Sequence, residues 1–315
     1  MTAIEAKEIL DKIRTNVEKV IVGKAKAIEL ALVCLICNGH ALIEDVPGLG
    51  KTTLVSALAR SIDCSFTRLQ FTPDVLPSDV TGFTMFDMKT NEKQFIHGAV
   101  MTQILLADEI NRTSPKTQSA LLQAMQEGQI TVDGNTYDLP RPFTVMATQN
   151  PVELAGTYSL PEAQLDRFLM RISIGYPEKD DEKQILERSR TKLGVANLEP
   201  VANANLVIEL QKQLDKVICT DLITDYIIEI SRKTREHKEV LLGASPRGSI
   251  ALMQAAMGEA LINGRDYVLP DDVQNMLEPV LAHRLILRSQ TYAQKNTART
   301  VLQEIMQQTT VPAVK

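Results

Sequence analysis

The sequence predicts an α/β fold in which a parallel sheet, covered by helices on both faces, precedes a helical lid. Short apolar runs alternate with turns and helical patterns, and the long crossovers between them favour parallel strands. Helical periodicity dominates after Pro177, beginning with "EKDDEKQIL", which predicts two domains, 1–178 and 179–315. The five strand candidates are "HALIE" (40–44), "FTRLQF" (66–71), "QILLADE" (103–109), "FTVMAT" (143–148) and "LMRISI" (169–174).

Two hairpins interrupt this alternation. "GQITVDGNTYDL" (128–139) alternates apolar residues around an Asp133-Gly134 turn, which is a strong short-range hairpin signal. "GFTMFDMKTNEKQFIHG" (82–98) is a looser insertion of the same kind. At the N-terminus, apolar residues at helical spacing predict an amphipathic helix, which "VIVGK" (20–24) separates from a more apolar second helix.

The composition restricts the environment of the protein. With 315 residues and 44% hydrophobic content the chain can bury a sizeable core, and its net charge of −5 gives no overall attraction to nucleic acid or to an anionic membrane. No cationic and then apolar leader opens the sequence, and the longest apolar run contains Glu29 and is too short to span a bilayer. We therefore expect a cytoplasmic protein without membrane insertion.

The stretch "EDVPGLGKTT" predicts a phosphate-binding loop between a strand and a helix. Its backbone N–H groups would face phosphate, Lys51 would reach the β and γ oxygens, and the Thr52 hydroxyl would ligate Mg²⁺. The general motif has glycine where this chain has Asp45, and we expect that side chain to face away from the phosphates. A chance Gly-Lys-Thr at a helix start is the alternative. The predicted cradle comprises Val46, Pro47, Gly48, Leu49, Gly50, Lys51, Thr52 and Thr53.

Polar residues end two further strand candidates. "ILLADE" ends in Asp108 and Glu109, which predicts an aspartate that holds Mg²⁺ through water and a glutamate that polarises the attacking water. "VMATQNP" ends in Asn150 before Pro151, and that amide could bridge the γ-phosphate and the water. The alternatives are a solvated strand end and an Asn-Pro turn. Because such sites assemble at the C-terminal ends of parallel strands, we expect the acid pair to be functional.

No metal site other than the nucleotide's magnesium is expected. Cys34 and Cys37 form a Cys-x-x-Cys pair, but they lie in the apolar stretch "LALVCLIC" without a second ligand pair. This favours small core residues over a zinc or redox site. The four histidines show no ligand spacing.

Five strings, in this order and spacing, closely resemble the MoxR family of AAA+ ATPases: "EDVPGLGKTT", "LLADEINRTSPKTQSALLQAMQEGQITVDG", "VMATQNPVE", "LPEAQLDRFLMRI" and "GASPRG". The resemblance covers nearly the whole chain. It implies a five-stranded AAA+ core with a helical lid, in which the hairpins are the helix-2 insert and the pre-sensor-1 insert. It also implies a hexameric or other ring and ATP-driven, chaperone-like remodelling of protein complexes, often alongside proteins with von Willebrand factor A domains.

The same resemblance implies roles for individual residues. It puts Lys51 and Thr52 on Walker A, Asp108 and Glu109 on Walker B, Asn150 on sensor 1, Arg167 on the arginine finger, Arg247 on sensor 2, and Val22 and Gly23 on the segment that lines adenine.

The surroundings of the two arginines suit these roles. Arg167 lies in a charged turn before the last strand candidate, from which it could reach the γ-phosphate of a neighbouring subunit, and such a finger can change the rate about 10³- to 10⁵-fold. Arg171 competes for the role, and a surface ion pair is the alternative. Arg247 follows Ser245 and Pro246, a predicted cap and first-turn proline, so we expect it to contact phosphate from the lid. A helix-start arginine without a ligand is the alternative there.

The use of the hydrolysis energy has more than one candidate. A hairpin that grips DNA should carry Lys or Arg. Here one hairpin turns at Asp-Gly-Asn (133–135), and the other mixes Asp87, Lys89, Glu92 and Lys93. This favours a protein client over a nucleic-acid motor. A magnesium-chelatase-like subunit and a nucleotide-binding switch with little turnover remain as alternatives.

Overall fold

The chain alternates strands and helices up to residue 172 and is mainly helical beyond it. A computed structural model describes residues 1–88, 91–150, 157–191, 194–288 and 297–312, so Lys89 and Pro151 lie outside the described residues. Within these ranges the strands are β1 (Ala41–Glu44), β2 (Phe66–Gln70), β3 (Gly82–Asp87), β4 (Glu92–His97), β5 (Ile104–Asp108), β6 (Gln129–Val132), β7 (Asn135–Asp138), β8 (Thr144–Gln149), β9 (Met170–Ile172), β10 (Val240–Leu242) and β11 (Ile286–Leu287). The helices are α1 (Ala3–Glu18), α2 (Ala25–Ile36), α3 (Lys51–Ser61), α4 (Pro77–Thr81), α5 (Pro115–Glu127), α6 (Glu162–Leu165), α7 (Lys179–Thr191), α8 (Ala204–Leu214), α9 (Asp221–Glu236), α10 (Pro246–Ile262), α11 (Pro270–Leu281) and α12 (Ala298–Gln308).

The central sheet has five parallel strands in the order β2-β5-β8-β1-β9. All five strand candidates are confirmed, with ends that differ by one or two residues. Both faces of the sheet are covered. In β1, Ala41 and Ile43 belong to the core that contains α1, α2 and α3, whereas Leu42 belongs to the core that contains α5. Burial on both faces explains why the strands read as continuous apolar runs.

Both predicted hairpins are confirmed. β3 pairs with β4, and β6 pairs with β7, in each case antiparallel. The second hairpin turns at Asp133 and Gly134, whose φ angles of 48° and 81° match the turn type that Asp-Gly favours. The rings of Phe95 and Tyr137 stack with centroids 4.1 Å apart and an interplanar angle of 13°, and this contact joins the two hairpins.

The region after β9 is helical, with one short sheet added. β10 and β11 form an antiparallel pair that periodicity did not predict, because strands of three and two residues are too short to show a repeat. α10 packs against α1 and α2, and α11 packs against β9. The division at residue 178 stays a prediction, since one apolar core continues across it.

Helix α2 is almost entirely buried. Cys34 in this helix is fully buried, and burial raises the pKa of its thiol and that of Cys37, the latter to about 12. Both thiols are therefore neutral; Cys34 is a small core side chain, and Cys37, directly after the helix, is partly buried against that core. None of the helices in the described ranges is long and apolar enough to cross a membrane.

Candidate functional site

The carboxyl ends of three neighbouring strands bring most of the predicted site residues together. In the sheet, β8 lies between β5 and β1. The phosphate loop follows β1, the acid pair ends β5, and Asn150 directly follows β8. Because Ala107 pairs with Ala147 in the parallel register, Asp108 lies opposite Thr148. Ligand sites of open α/β sheets form in crevices at this edge.

The phosphate loop, residues 46–50, leads from β1 into the first turn of α3. Gly48 and Gly50 have φ angles of +86° and +84°, and open space surrounds the position that a side chain would occupy on each. Helix α3 begins at Lys51, and no side chain of the described residues caps its first N–H groups. Uncapped N–H groups at a helix start bind anions. The loop therefore fits a polyphosphate, with the Thr52 hydroxyl in the first turn of the helix.

Lys51 extends from the helix start along the loop. Its Nζ donates a hydrogen bond to the backbone oxygen of Asp45 at 2.7 Å. Burial lowers the pKa of Lys51, and the nearby carboxylate of Asp108 is the largest influence that opposes this shift. The ammonium therefore lies between the loop and the acid pair, where the oxygens of a bound phosphate would meet it.

The side chain of Asp45 faces away from the phosphate loop, as expected. Its Oδ2 accepts hydrogen bonds from the N–H of Gly175 at 3.1 Å, the hydroxyl of Ser173 at 3.2 Å and the N–H of Ile174. These donors follow β9, the strand beside β1. The carboxylate that replaces the motif glycine thus fastens the loop to the neighbouring segment.

The predicted adenine segment lies next to this fastening point. Lys24 Nζ donates to the backbone oxygen of Tyr176 at 2.8 Å. Val22 is buried. Gly23 has a φ of +68°, and a side-chain carbon there would collide with the carboxylate of Asp181 at the start of α7. Val22 and Gly23 therefore lie at the edge of the sheet that carries the phosphate loop.

A buried threonine joins the two members of the acid pair. Thr148 Oγ1 accepts a hydrogen bond from the backbone N–H of Glu109 at 2.8 Å and donates one to Asp108 Oδ1 at 2.6 Å. Thr148 is fully buried. Glu109 has a left-handed φ of 58°, a conformation that is uncommon for residues other than glycine and frequent at active sites. One hydroxyl thus fixes both the side chain of Asp108 and the backbone of Glu109.

Two arginines balance the charge of the acid pair. Arg68, on β2, donates from Nη2 and Nε to Asp108 Oδ2 at 2.6 and 3.1 Å. Arg112 donates from Nη1 to Glu109 Oε2 at 3.0 Å. Both guanidinium side chains are about two-fifths exposed, whereas the carboxylates of Asp108 and Glu109 are 13% and 22% exposed. A cation bound to the carboxylates could take the place of either guanidinium, which could then return to solvent.

The donor set at this edge fits a nucleoside triphosphate with magnesium. The Thr52 hydroxyl and the Asp108 carboxylate are oxygen ligands of the kind that Mg²⁺ prefers. Asn150 is 5% exposed and lies between the phosphate loop and the acid pair. The open space above Gly48 and Gly50 leaves room for phosphate oxygens to approach the backbone.

Arg167 and Arg247 lie together at the opposite edge of the sheet. Arg167 precedes the amino end of β9, and Arg247 is in the first turn of α10. Both line a cleft of about 820 Å³ that also contains Gly39 and His40, which precede β1. The phosphate loop follows the other end of β1. The structure therefore does not bring Arg247 to the phosphate loop of its own chain. A contact between Arg247 and a phosphate bound in the same chain would require these two parts to lie together.

The lid reaches this edge because the start of α10 is attached there. Ser245, the N-cap of α10, donates its hydroxyl hydrogen to Asp166 Oδ2 at 3.1 Å. Arg171, the competitor of Arg167, donates to Glu44 Oε2 at 2.7 Å within the sheet. Arg167 has no ion-pair partner among the described residues, and its side chain borders the cleft.

Comparisons with known proteins agree with this geometry. The profile of the "ATPase family associated with various cellular activities (AAA)" matches residues 40–170, and that of the "AAA lid domain" matches residues 232–305. The chain is 38% identical over 316 residues to "Chaperone MoxR1" of Mycobacterium tuberculosis, a match that covers 97% of this chain and 83% of that protein. The chain belongs to the MoxR family of AAA+ ATPases.

Two further relatives extend the comparison along the whole of this MoxR-family ATPase. It is 51% identical over 304 residues to "Uncharacterized protein YeaC" of Bacillus subtilis, with 96% of this chain and 95% of that protein covered. It superimposes on a crystal structure from Cytophaga hutchinsonii with a TM-score of 0.91 and 37% identity, over 98% and 97% of the two chains. The match to that structure therefore covers both the sheet and the lid.

Sequence reasoning missed the partners that orient the acid pair of this MoxR-family ATPase. The role of Thr148 can be recognised only when β5 is known to pair with β8. The role of Arg68 can be recognised only when β2 is known to pair with β5. One signal pointed to Thr148, which lies two residues before Asn150. Residues two apart on a strand share a face.

Proposed function

We propose that this MoxR-family ATPase binds ATP with Mg²⁺ and hydrolyses it at the carboxyl edge of the sheet. The observation that carries the proposal is the acid pair of Asp108 and Glu109, joined through Thr148 beside the phosphate loop. The loop N–H groups and Lys51 would bind the phosphates. Thr52 and Asp108 would hold the metal ion, the latter through water, and its charge would offset the charge of the phosphates.

The residues divide the remaining chemistry between them. Glu109 would accept the proton of the attacking water, and Asn150 would orient that water toward the γ-phosphate. The water oxygen bonds to phosphorus while the bond from phosphorus to the β–γ bridging oxygen breaks, which gives ADP and inorganic phosphate. Lys51 and the loop stabilise the negative charge on the transferred group.

The substitution Glu109→Gln tests this assignment. It removes the proton acceptor but keeps the size of the side chain, so ATP should stay bound while phosphate release falls at least about 100-fold, as expected for loss of a general base. Glu236→Gln, in an exposed glutamate of the lid, is the matched control and should leave both quantities unchanged. A Glu109→Gln protein that releases phosphate at the wild-type rate would exclude Glu109 as the base.

We further propose a ring, hexameric as the family resemblance implies, in which each subunit completes the site of its neighbour. Arg167 and Arg247 border one cleft at the edge opposite the phosphate loop, which supports this arrangement. A neighbouring subunit whose carboxyl edge docks at the cleft would bring its γ-phosphate toward both guanidinium groups. Arginines supplied in this way stabilise charge that develops in the transition state.

Proteins are the proposed clients of the remodelling activity. Large apolar side chains of the first hairpin are exposed, with Phe86 at 52% and Met88 at 91%. Apolar exposure of this kind suits a protein surface, whereas binding to a nucleic acid would require a cluster of cations. Partners with von Willebrand factor A domains are the client class that the family resemblance implies. A nucleic-acid motor and a magnesium-chelatase-like subunit are the alternatives.

Capture with the Glu109→Gln protein tests the choice of client. In the presence of ATP it should retain client proteins that Lys51→Ala, which lacks the phosphate-binding ammonium, does not retain. Met88→Ser should lose the clients and keep wild-type ATPase activity. The protein-client proposal would be overturned if DNA stimulated the ATPase activity and if the binding of that DNA weakened steeply with salt concentration.

A further inference from the structure

Arg284 is a buried lid residue that holds the segment carrying Arg167. It ends a 3₁₀ turn after α11, and its side chain is 3% exposed. Its guanidinium donates to the backbone oxygens of Phe168 at 2.7 Å and Leu169 at 3.1 Å, and also to that of Val280. The backbone on the C-terminal side of Arg167 is therefore fixed by a side chain of the lid.

Asp166 connects this guanidinium to the helix that carries Arg247. Its Oδ1 accepts from Arg284 Nε at 2.7 Å, and its Oδ2 accepts from the hydroxyl of Ser245 at 3.1 Å. Ser245 is the N-cap of α10 and also accepts a hydrogen bond from the N–H of Gly248. Each oxygen of one carboxylate thus binds a different part of the lid.

These contacts give the two arginines of the cleft a common support. Arg167 follows Asp166 directly, and Arg247 follows Ser245 by two residues. A charged pair with one member buried, made through several hydrogen bonds, resists rearrangement, because separating it would leave an unpaired charge away from water. A shift of the lid would therefore move both arginines together.

We infer that Asp166 and Arg284 are positioning residues, which hold Arg167 and Arg247 in one fixed arrangement for delivery to the nucleotide of a neighbouring subunit. The inference rests on the proposed function, since it requires that the cleft arginines act on a second copy of this chain. Asp166 and Arg284 touch no reacting atom in this scheme. They act through the placement of the two arginines.

Asp166→Asn tests the inference in mixed assemblies. The amide keeps the size of the carboxylate but removes its charge, so the arginines lose their fixed placement while the variant's own phosphate loop and acid pair stay intact. Displacement by about 1 Å can lower a rate about 100-fold, and we expect phosphate release to fall about 10- to 100-fold. Equilibrium binding of a fluorescent ATP analogue should remain within about twofold of wild type, because the proposed arginines act on charge that develops in the transition state and not on the bound ground state.

Mixing distinguishes a positioning defect from a damaged subunit. Asp166→Asn subunits mixed with Glu109→Gln subunits should recover activity, because the latter supply well-placed arginines and the former supply the base. Recovery should match that of the reference mixture, Arg167→Ala with Glu109→Gln. A mixture of Asp166→Asn with Arg167→Ala should stay at the low activity of Asp166→Asn alone, since neither subunit supplies a well-placed Arg167.

The matched control is Asp272→Asn, in the lid. Asp272 is also buried and pairs with an arginine, accepting from Arg265 at 2.6 and 2.7 Å. This control should lower thermal stability without creating a defect that Glu109→Gln subunits can rescue. If Asp166→Asn does not fold, Ser245→Ala, which removes the link between Asp166 and α10 together with the N-cap hydrogen bond from Gly248, should show the same rescuable defect at smaller size.

Three results would overturn the inference. Wild-type activity of Asp166→Asn alone would remove the positioning role. A second result would be that Glu109→Gln subunits restore the activity of Arg167→Ala but not that of Asp166→Asn. This result would mean that Asp166→Asn damages the nucleotide site of its own subunit. Failure of the reference mixture itself would instead remove the proposed action between subunits, and this inference with it.

Discussion

At the scale of single residues, the site depends on hydrogen bonds that tie each functional group to one orientation. Thr148 is the strongest case, because its hydroxyl binds both Asp108 and the backbone of Glu109. The carboxylate of Asp45 has a similar role at the phosphate loop, where it binds three donors of the segment after β9. Neither residue would contact the nucleotide in the proposed scheme.

Thr148→Val should lower kcat about 10- to 100-fold, because Asp108 and Glu109 lose the group that aligns them. The free energy of unfolding should fall by about 1–3 kcal/mol, since the N–H of Glu109 loses its acceptor. Steady-state phosphate release and urea denaturation measure the two effects.

Thr144→Val is the matched control on the same strand. Thr144 is also fully buried, but its hydroxyl has no hydrogen-bond partner among the described residues. The control should keep full activity and equal or higher stability, because it removes an unsatisfied polar group. Equal activity of the two variants would contradict the alignment role of Thr148.

Asp45→Gly restores the general motif and should nevertheless make the protein less stable. The substitution leaves two N–H groups and a hydroxyl without their acceptor, so the free energy of unfolding should fall by about 1–3 kcal/mol. Asp45→Asn keeps one acceptor oxygen, so its free energy of unfolding should lie between those of the wild type and Asp45→Gly. Calorimetry should find no gain in ATP affinity for Asp45→Gly, and tighter binding without a loss of stability would show that the carboxylate opposes phosphate after all.

At the scale of elements, local sequence patterns predicted what local forces determine. Apolar runs between turns predicted the five strands, and the Asp133-Gly134 turn predicted its hairpin, because each depends on neighbouring residues alone. The contacts of Thr148 and Arg68 with the acid pair depend on which strands are neighbours in the sheet. The position of the start of α10 at the amino edge depends on where the lid docks. Such contacts join residues distant in sequence, and no repeat or motif in one sequence encodes them.

His40 is another contact between elements, and it should make stability depend on pH. Its Nδ1 accepts a hydrogen bond from the N–H of Val145 in β8 at 3.0 Å, so the proton lies on Nε2, which donates to the backbone oxygen of Met125 in α5 at 2.9 Å. Burial lowers the pKa of His40 from 6.5 to about 4. The folded protein therefore holds this imidazole neutral at pH values where the unfolded chain protonates it.

The sign of the pH effect follows from this difference. The unfolded chain binds the extra proton below pH 6.5, so the contribution of His40 is complete above that pH and is lost as the pH falls toward about 4. Between pH 7.5 and pH 5 the loss should be about 2 kcal/mol. Urea denaturation of wild type and of His40→Asn, whose amide can keep both hydrogen bonds, should give a smaller pH dependence for the variant. An equal pH dependence of the free energy of unfolding in the two proteins would contradict the assignment of this effect to His40.

At the scale of the whole molecule, the two ends of the sheet carry different halves of the proposed site. The phosphate loop, the acid pair and Asn150 lie at the carboxyl edge, whereas Arg167 and Arg247 border the cleft at the amino edge. Neither half is sufficient for the proposed reaction. An assembly in which one subunit's amino edge faces the next subunit's carboxyl edge would unite them, and this requirement gives a physical reason for a ring.

The most direct test of this account is the ATPase activity of Arg167→Ala and Glu109→Gln subunits mixed in varying proportion. Each variant alone should be nearly inactive, and intermediate mixtures should be active, because a Glu109→Gln subunit can supply Arg167 to a neighbour that retains Glu109. Arg171→Ala, whose arginine is paired with Glu44 in its own chain, should not gain from such mixing. Activity that stays near zero at every proportion, in assemblies demonstrated to contain both subunits, would contradict the shared site.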